Sequence, residues 1–332
     1  MKKIVLLFSV LAFLFLVGCG KYDDKDIVRD LSKKVNNTKG YYLEGQMEIM
    51  SNDDIFKYDV TVSFEAKNQF RVSLKNVVNN HEQIILKNKD GVYVLTPSLN
   101  KSFKFQSEWP YNNSQVYLLQ SIVKDMENDK ERKFEDKDKY YILRTKVNYP
   151  NNRNLVSQVI YLDKKLNFKE VHVLDDNNNP QIKMKFDNVD MKATFDKNYF
   201  SLNENMKGNK QASGEKEVTS IADIIYPLYI PNNTHLASQD KVAKDKGEMI
   251  ILTFDGESPF LLIEETVSYA EELEIIPTFG EPILLHDTIG ALSDSSVNWI
   301  SNGIEYYLVS SVLDPNELLE IAKSMGTIPV GK

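Results

Sequence analysis

Apolar and polar residues alternate with period two in a long series of segments between residues 41 and 186. Tyr41, Leu43, Met47 and Ile49 are interleaved with Tyr42, Glu44, Gln46 and Glu48. Tyr58, Val60, Val62 and Phe64 are interleaved with Lys57, Asp59, Thr61 and Ser63, and Phe70, Val72 and Leu74 continue the rhythm. Each such segment predicts a strand with one face in a core and the other in water. The pattern resumes at Tyr141-Leu143-Thr145-Val147, Val159-Tyr161, Val171-Val173 and Ile182-Met184-Phe186. Turn-forming clusters divide the segments: Ser51-Asn52-Asp53-Asp54, Asn88-Lys89-Asp90-Gly91 and the run Asp175 to Pro180. Strands linked by short turns, without an intervening strand-helix rhythm, predict an antiparallel sheet.

Two segments switch to helical spacing. Ile27, Val28, Leu31 and Val35 form one apolar stripe. In SQVYLLQSIVKDM, Val116, Leu119, Val123 and Met126 form another, with Ser114 placed to cap it. Asp125, Glu127 and Asp129 read as its solvated end. A sheet of eight or more strands tends to curl, so the expectation is a strongly curved antiparallel sheet with an apolar inner face covered by two helices.

The pattern stops near Met206. Residues 207–219 are rich in Gly, Ser and charge and read as a linker. A smaller α+β unit is expected over 220–332, opened by Leu228-Tyr229-Ile230-Pro231, with strands over 249–254, 259–264 and 304–310. Its last helix is strongly specified: Asp314 as N-cap, Pro315 at the first helical position, Glu317 completing the capping box, and a stripe of Leu318, Ile321, Ala322 and Met325 up to Gly326. The whole chain is thus expected to be mainly β (α+β), with a first domain over 26–206.

The N-terminus changes the picture. Lys2 and Lys3 precede an apolar run from Ile4 to Val17, the length of a secretory h-region and short of a spanning helix. A plain secretory signal would end in a small-x-small site. Leu16-Val17-Gly18-Cys19 resembles instead the lipobox of bacterial lipoproteins, so residues 1–18 are expected to be a signal peptide, and residues 19–25 a tether beginning at a lipid-modified Cys19. Cys19 is the one cysteine of the chain, which excludes an internal disulfide. Two or more acyl chains give stable anchoring. Loss of residues 1–18 removes two lysines and no acids, taking the net charge from −8 to −10. That acidity argues against nucleic acid as a partner and against a polybasic membrane patch.

Residues 86–126, above all Gly91-Val92-Tyr93-Val94-Leu95-Thr96-Pro97 and Phe105-Gln106-Ser107-Glu108-Trp109-Pro110, resemble sporulation and germination lipoproteins of endospore formers, the YdcC/GerS-like group. The resemblance covers the leader and the chain to about Met206. It implies a LolA/LolB-like fold, a half-open β-barrel closed by helices around an apolar cavity. It also implies no catalytic residue, and an envelope protein, such as a cortex-modifying enzyme, as partner. The run Asn302-Gly303-Ile304-Glu305-Tyr306-Tyr307 and the last helix resemble, more loosely, a C-terminal domain of unknown function in Gram-positive membrane proteins.

Candidate chemistry is sparse. His81, His172, His235 and His286 are far apart and match no zinc motif. No G-x-S-x-G is present, and neither metal nor cofactor is called for. Thr253-Phe254-Asp255-Gly256-Glu257 lacks the alternating ligands of a calcium loop, and Asp175–Asn179 reads as hairpin chemistry. The notable cluster is Phe103, Phe105, Trp109, Tyr111 and Tyr117, five aromatics in fifteen residues. They either plug the barrel beneath the helix or line a cavity or partner surface. The expected function is therefore non-enzymatic: a lipoprotein on the extracytoplasmic face of the cytoplasmic membrane, binding an envelope partner. An acyl-chain-binding protein is the alternative and an envelope hydrolase a distant third.

Overall fold

The computed structural model describes residues 22–51, 54–207 and 219–325. The chain is mainly β, with few helices. Helix α1 (Asp24–Asn36) opens on a capping box made by Asp23 and Asp26, and buries the predicted stripe Ile27, Val28, Leu31 and Val35. Six strands follow: β1 (Gly40–Ser51), β2 (Asp54–Glu65), β3 (Gln69–Asn76), β4 (Glu82–Asn88), β5 (Gly91–Thr96) and β6 (Lys101–Phe105). After helix α2 (Leu119–Asn128) come β7 (Lys133–Asp136), β8 (Tyr140–Lys146), β9 (Ser157–Asp163), β10 (Phe168–Leu174), β11 (Pro180–Asp190) and the short α3 (Leu202–Met206).

These strands form one antiparallel sheet in which the first and second runs meet where β1 pairs β11. The seam is tight. At Gly45 the ladder shifts register, and a Cβ there would lie 2.1 Å from the Lys185 carbonyl oxygen, so only glycine fits. One face of the sheet packs α1 and α2 in a single core that includes Leu43, Met47, Val60, Ile122 and Met184. On the other face, Ile84, Leu86, Tyr93 and Leu95 are covered by Phe200 and its neighbours Phe195 and Tyr199.

The C-terminal part builds a second sheet from β12 (Thr234–Ala243), β13 (Glu248–Gly256), β14 (Phe260–Thr266), β16 (Glu281–Leu284), β17 (Ile289–Leu292), β18 (Ser296–Ser301) and β19 (Ile304–Val309). Helix α4 (Pro315–Ser324) starts with the predicted Asp314 cap, Pro315 and Glu317 capping box, and lays Leu318, Leu319, Ile321 and Ala322 into a core with Leu252, Leu262 and Leu308. One strand of this part, β15 (Glu274–Thr278), leaves its own sheet and pairs parallel with β6, making the first sheet twelve-stranded. Its two outer strands, β15 and β7, do not pair with each other, so the sheet is open and not closed into a barrel.

Candidate functional site

The aromatic cluster does not stay together. Phe103 and Phe105 are buried on β6 and face the junction with the second sheet, beside Ile289, Ala291 and Trp299. Trp109 is 1% exposed and meets Phe70 edge-on at 5.9 Å, extending a ring series through Phe64 to Tyr41. Tyr117 is buried elsewhere, its hydroxyl donating to Gln115 Oε1 at 2.7 Å. Tyr111 alone of the five is exposed, at 46%. Its hydroxyl donates to Asn68 Oδ1, its ring lies 5.0 Å from the Lys87 ammonium, and its carbonyl accepts from Lys124 Nζ at 3.0 Å.

Tyr111 borders a groove of about 380 Å³ between α1, α2 and the 110–121 segment, with Val35, Phe64 and Leu118 as apolar wall and Gln120, Lys124 and Asp125 as polar wall. Gln120 accepts from the Tyr41 hydroxyl at 2.8 Å, while its own Nε2 is buried without a partner.

Ser114 does not cap α2. The helix starts five residues later, after Leu118, with no side-chain cap. Ser114 Oγ instead donates to Asp125 Oδ1 at 3.0 Å and accepts from the Asn148 backbone at 2.8 Å. Asp125 also accepts from Gln158 Nε2 at 3.0 Å, so it is no solvated helix end: burial pushes its carboxyl up to about 6. This network ties the segment around Ser114 to β9 and to the loop after β8.

The second sheet presents a different surface. β12 is its outermost strand, bonded only to β13, and every one of its residues after Thr234 is exposed. Beside it runs Tyr226-Pro227-Leu228-Tyr229-Ile230, in which Tyr226, Leu228 and Tyr229 are 44%, 82% and 46% exposed. The Tyr226 hydroxyl donates to Gln239 Oε1 at 2.5 Å, holding the segment against the strand. In the sequence, 228–231 marks only where the second unit opens. The signal passed over is an apolar run without alternation around a proline.

The histidines stay apart. His172 contacts Glu170 at 3.0 Å, His235 lies on β12, and His286 stacks on Phe56. Among the described residues no group of three or more His, Cys, Asp or Glu is placed to hold a metal ion. Among the same residues no helix is long and apolar enough to cross a membrane. Cys19 lies outside the described residues.

Residues 1–200 match the family described as sporulation protein YdcC-like, and the chain belongs to that family. Sporulation protein YdcC of Bacillus subtilis (strain 168) is 37% identical over 333 residues, 98% of each chain. Among solved structures, the MucA/MucB complex of Pseudomonas aeruginosa aligns with 89% of this chain and 95% of its own, at TM-score 0.34 and 12% identity. The complex of the CwlD amidase with the GerS lipoprotein from Clostridioides difficile aligns with 52% and 98%, at TM-score 0.23 and 14% identity. Neither likeness, at such scores, bears on function or assembly.

Proposed function

We propose that this protein is a membrane-tethered binding protein of sporulation. A lipid on Cys19 holds it at the extracytoplasmic face of the cytoplasmic membrane, and it acts by docking an envelope protein rather than by catalysis. Membership of the YdcC-like family supports the sporulation role. The lipobox supports the tether. The observation that carries the docking role is β12 with its flanking segment. A ten-residue edge strand exposes one row of backbone donors and acceptors, and natural proteins keep such edges short or covered unless something pairs with them. An extended partner segment adds to such an edge through main-chain hydrogen bonds. Tyr226, Leu228 and Tyr229 supply the aromatic and apolar anchors that dominate interface energies.

A second reading keeps one observation in its favour. The groove beside Tyr111 has room and apolar wall for a short acyl chain. The face around it is otherwise filled by the side chains of α1 and α2.

Site-specific photo-cross-linking in sporulating cells tests the docking role. A photoreactive residue at Ser238 should give one adduct of defined mass with an envelope protein, and one at the hairpin residue Asn177 should not. Equal labelling from both positions, or stoichiometric lipid recovered from the purified protein with no adduct at Ser238, contradicts it.

A further inference from the structure

The two sheets meet around a pair of adjoining cavities, of about 450 and 110 Å³, that share Ser51, Leu228, His286, Lys323 and Ser324. The larger falls in the size range of small-molecule sites, which favour junctions between structural units. Its walls come from distant parts of the chain: the end of β1, the loop before β9, the start of β11 and the last turn of α4. The strap Leu228-Tyr229 is fixed there by backbone bonds to Ser324, from Leu228 N to its carbonyl at 3.3 Å and from Tyr229 N to its hydroxyl at 2.9 Å.

Lys323 is the one cation among the lining residues of either cavity. It is half-buried, and among the described residues it has neither a hydrogen bond nor an ion pair. The loss of hydration pushes its ammonium pKa down. The other ionisable groups are accounted for or lie at the rim. Asp287 accepts from Ser301 Oγ at 2.5 Å. His286 stacks on Phe56 with Nδ1 3.3 Å from Ser51 Oγ, and burial holds its pKa down to about 4, so it is uncharged at neutral pH. Glu320 and Asp54 are exposed. An ammonium held in a cavity wall without a salt bridge, and with only the exposed Glu320 carboxylate acting on it from one turn back, carries a desolvation cost that a bound anion would offset.

We propose that this junction is a binding site for a small organic carboxylate whose anionic group pairs with Lys323. The carboxylates of Glu320, Asp287 and Asp54 in the same walls disfavour a doubly charged group such as phosphate. The amides of Asn152, Asn154 and Gln181 and the side chains of Tyr229 and Ile182 offer hydrogen bonds and apolar contact to an uncharged body. This inference does not rest on the docking role of β12, although the two share Leu228 and Tyr229.

The chain has two tryptophans, Trp109 and Trp299, and Trp299 lines the smaller cavity. The test is titration of the full-length protein in non-ionic detergent with butyrate or its neutral analogue butyramide, following the two indole resonances by NMR. Butyrate should move the Trp299 signal saturably, leave Trp109 in place, and bind at least about tenfold more tightly than butyramide, as a charge-assisted pair requires. Lys323→Met should lose that preference while keeping the Trp109 signal of the folded chain, and Lys323→Arg should retain it. Equal affinity for butyrate and butyramide, no saturable response, or undiminished butyrate binding by Lys323→Met overturns the proposal. If Lys323→Met fails to fold, the butyramide comparison and Lys323→Arg decide.

Discussion

Gln83 and Ile289, 206 residues apart, are joined as though they were strand neighbours. The buried carboxamide of Gln83 accepts from Ile289 N at 2.6 Å and donates to Ile289 O at 3.4 Å. It also accepts from Thr288 Oγ1 at 2.9 Å. A single side chain of β4 thus satisfies the backbone where β17 begins. Gln83→Met keeps the volume but strands the buried Ile289 N–H, at a cost of about 1–3 kcal/mol, while the Thr288 hydroxyl keeps the Ile300 carbonyl at 2.8 Å. The expected result is a lower urea midpoint together with faster amide exchange at Ile289.

Gly45 sets the closeness of β1 and β11. A methyl group at this position would strike the Lys185 carbonyl oxygen and the Met184 side chain. Gly45→Val should therefore part the central seam of the larger sheet and destabilise by about 3 kcal/mol or more, the range of severe overpacking. Thermal denaturation by circular dichroism measures it. A variant as stable as the parent would show that the seam yields.

Glu264 is fully buried in the second core, with Oε1 accepting from Ile225 N at 3.0 Å and Oε2 unpartnered. Burial pushes its carboxyl from 4.5 up to about 7. Below pH 4.5 the folded and unfolded chains both hold the proton. As pH rises to 7 the unfolded chain releases it first, so this group's contribution to stability falls across that window by about 3 kcal/mol. His286, held down to about 4 from 6.5, acts in the opposite sense, losing stability as pH falls from 6.5 to 4. The two are separated by comparing the parent with Glu264→Gln. The variant's advantage should be near zero at pH 4 and reach a plateau above pH 7.5.

Cys19 is the expected attachment point of the tether. Cys19→Ala should move the protein from the membrane fraction to the soluble or unprocessed pool, and the parent's mature N-terminus should carry a lipid mass on Cys19. An unmodified Cys19, or a mature chain beginning elsewhere, would end the lipoprotein reading.

Strands with one wet face were legible because water forces their alternation. The predicted apolar residues Tyr41, Leu43, Met47 and Ile49 of β1 are all buried, as are Phe70, Val72 and Leu74 of β3. The cap of α4 was legible because Asp314, Pro315 and Glu317 act locally. β9 was misread by one residue. Val159 and Tyr161 looked like its inner face, yet the strand buries Gln158, Ile160 and Leu162, since the polar Gln158 is paired with Asp125. The start of α2 was misplaced for a related reason: Ser114 is engaged by Asp125 and Asn148, partners remote in sequence. The pairing of β15 with β6, the stranded ammonium of Lys323 and the exposed strap at Tyr226 arise only when distant segments meet, and no local pattern encodes them.

The central claim is that a tethered chain works through the edge of β12. Its most direct test is sporulation and germination of cells whose only copy carries Gln239→Pro and Lys241→Pro, which remove two backbone donors that face away from β13 on the free edge. Protein level and membrane association are verified beside the parent. The account predicts a chain that is present and anchored but as defective as a deletion, with the Cys19→Ala chain similarly impaired. Wild-type spore yield and germination from an intact, anchored double-proline chain would contradict it.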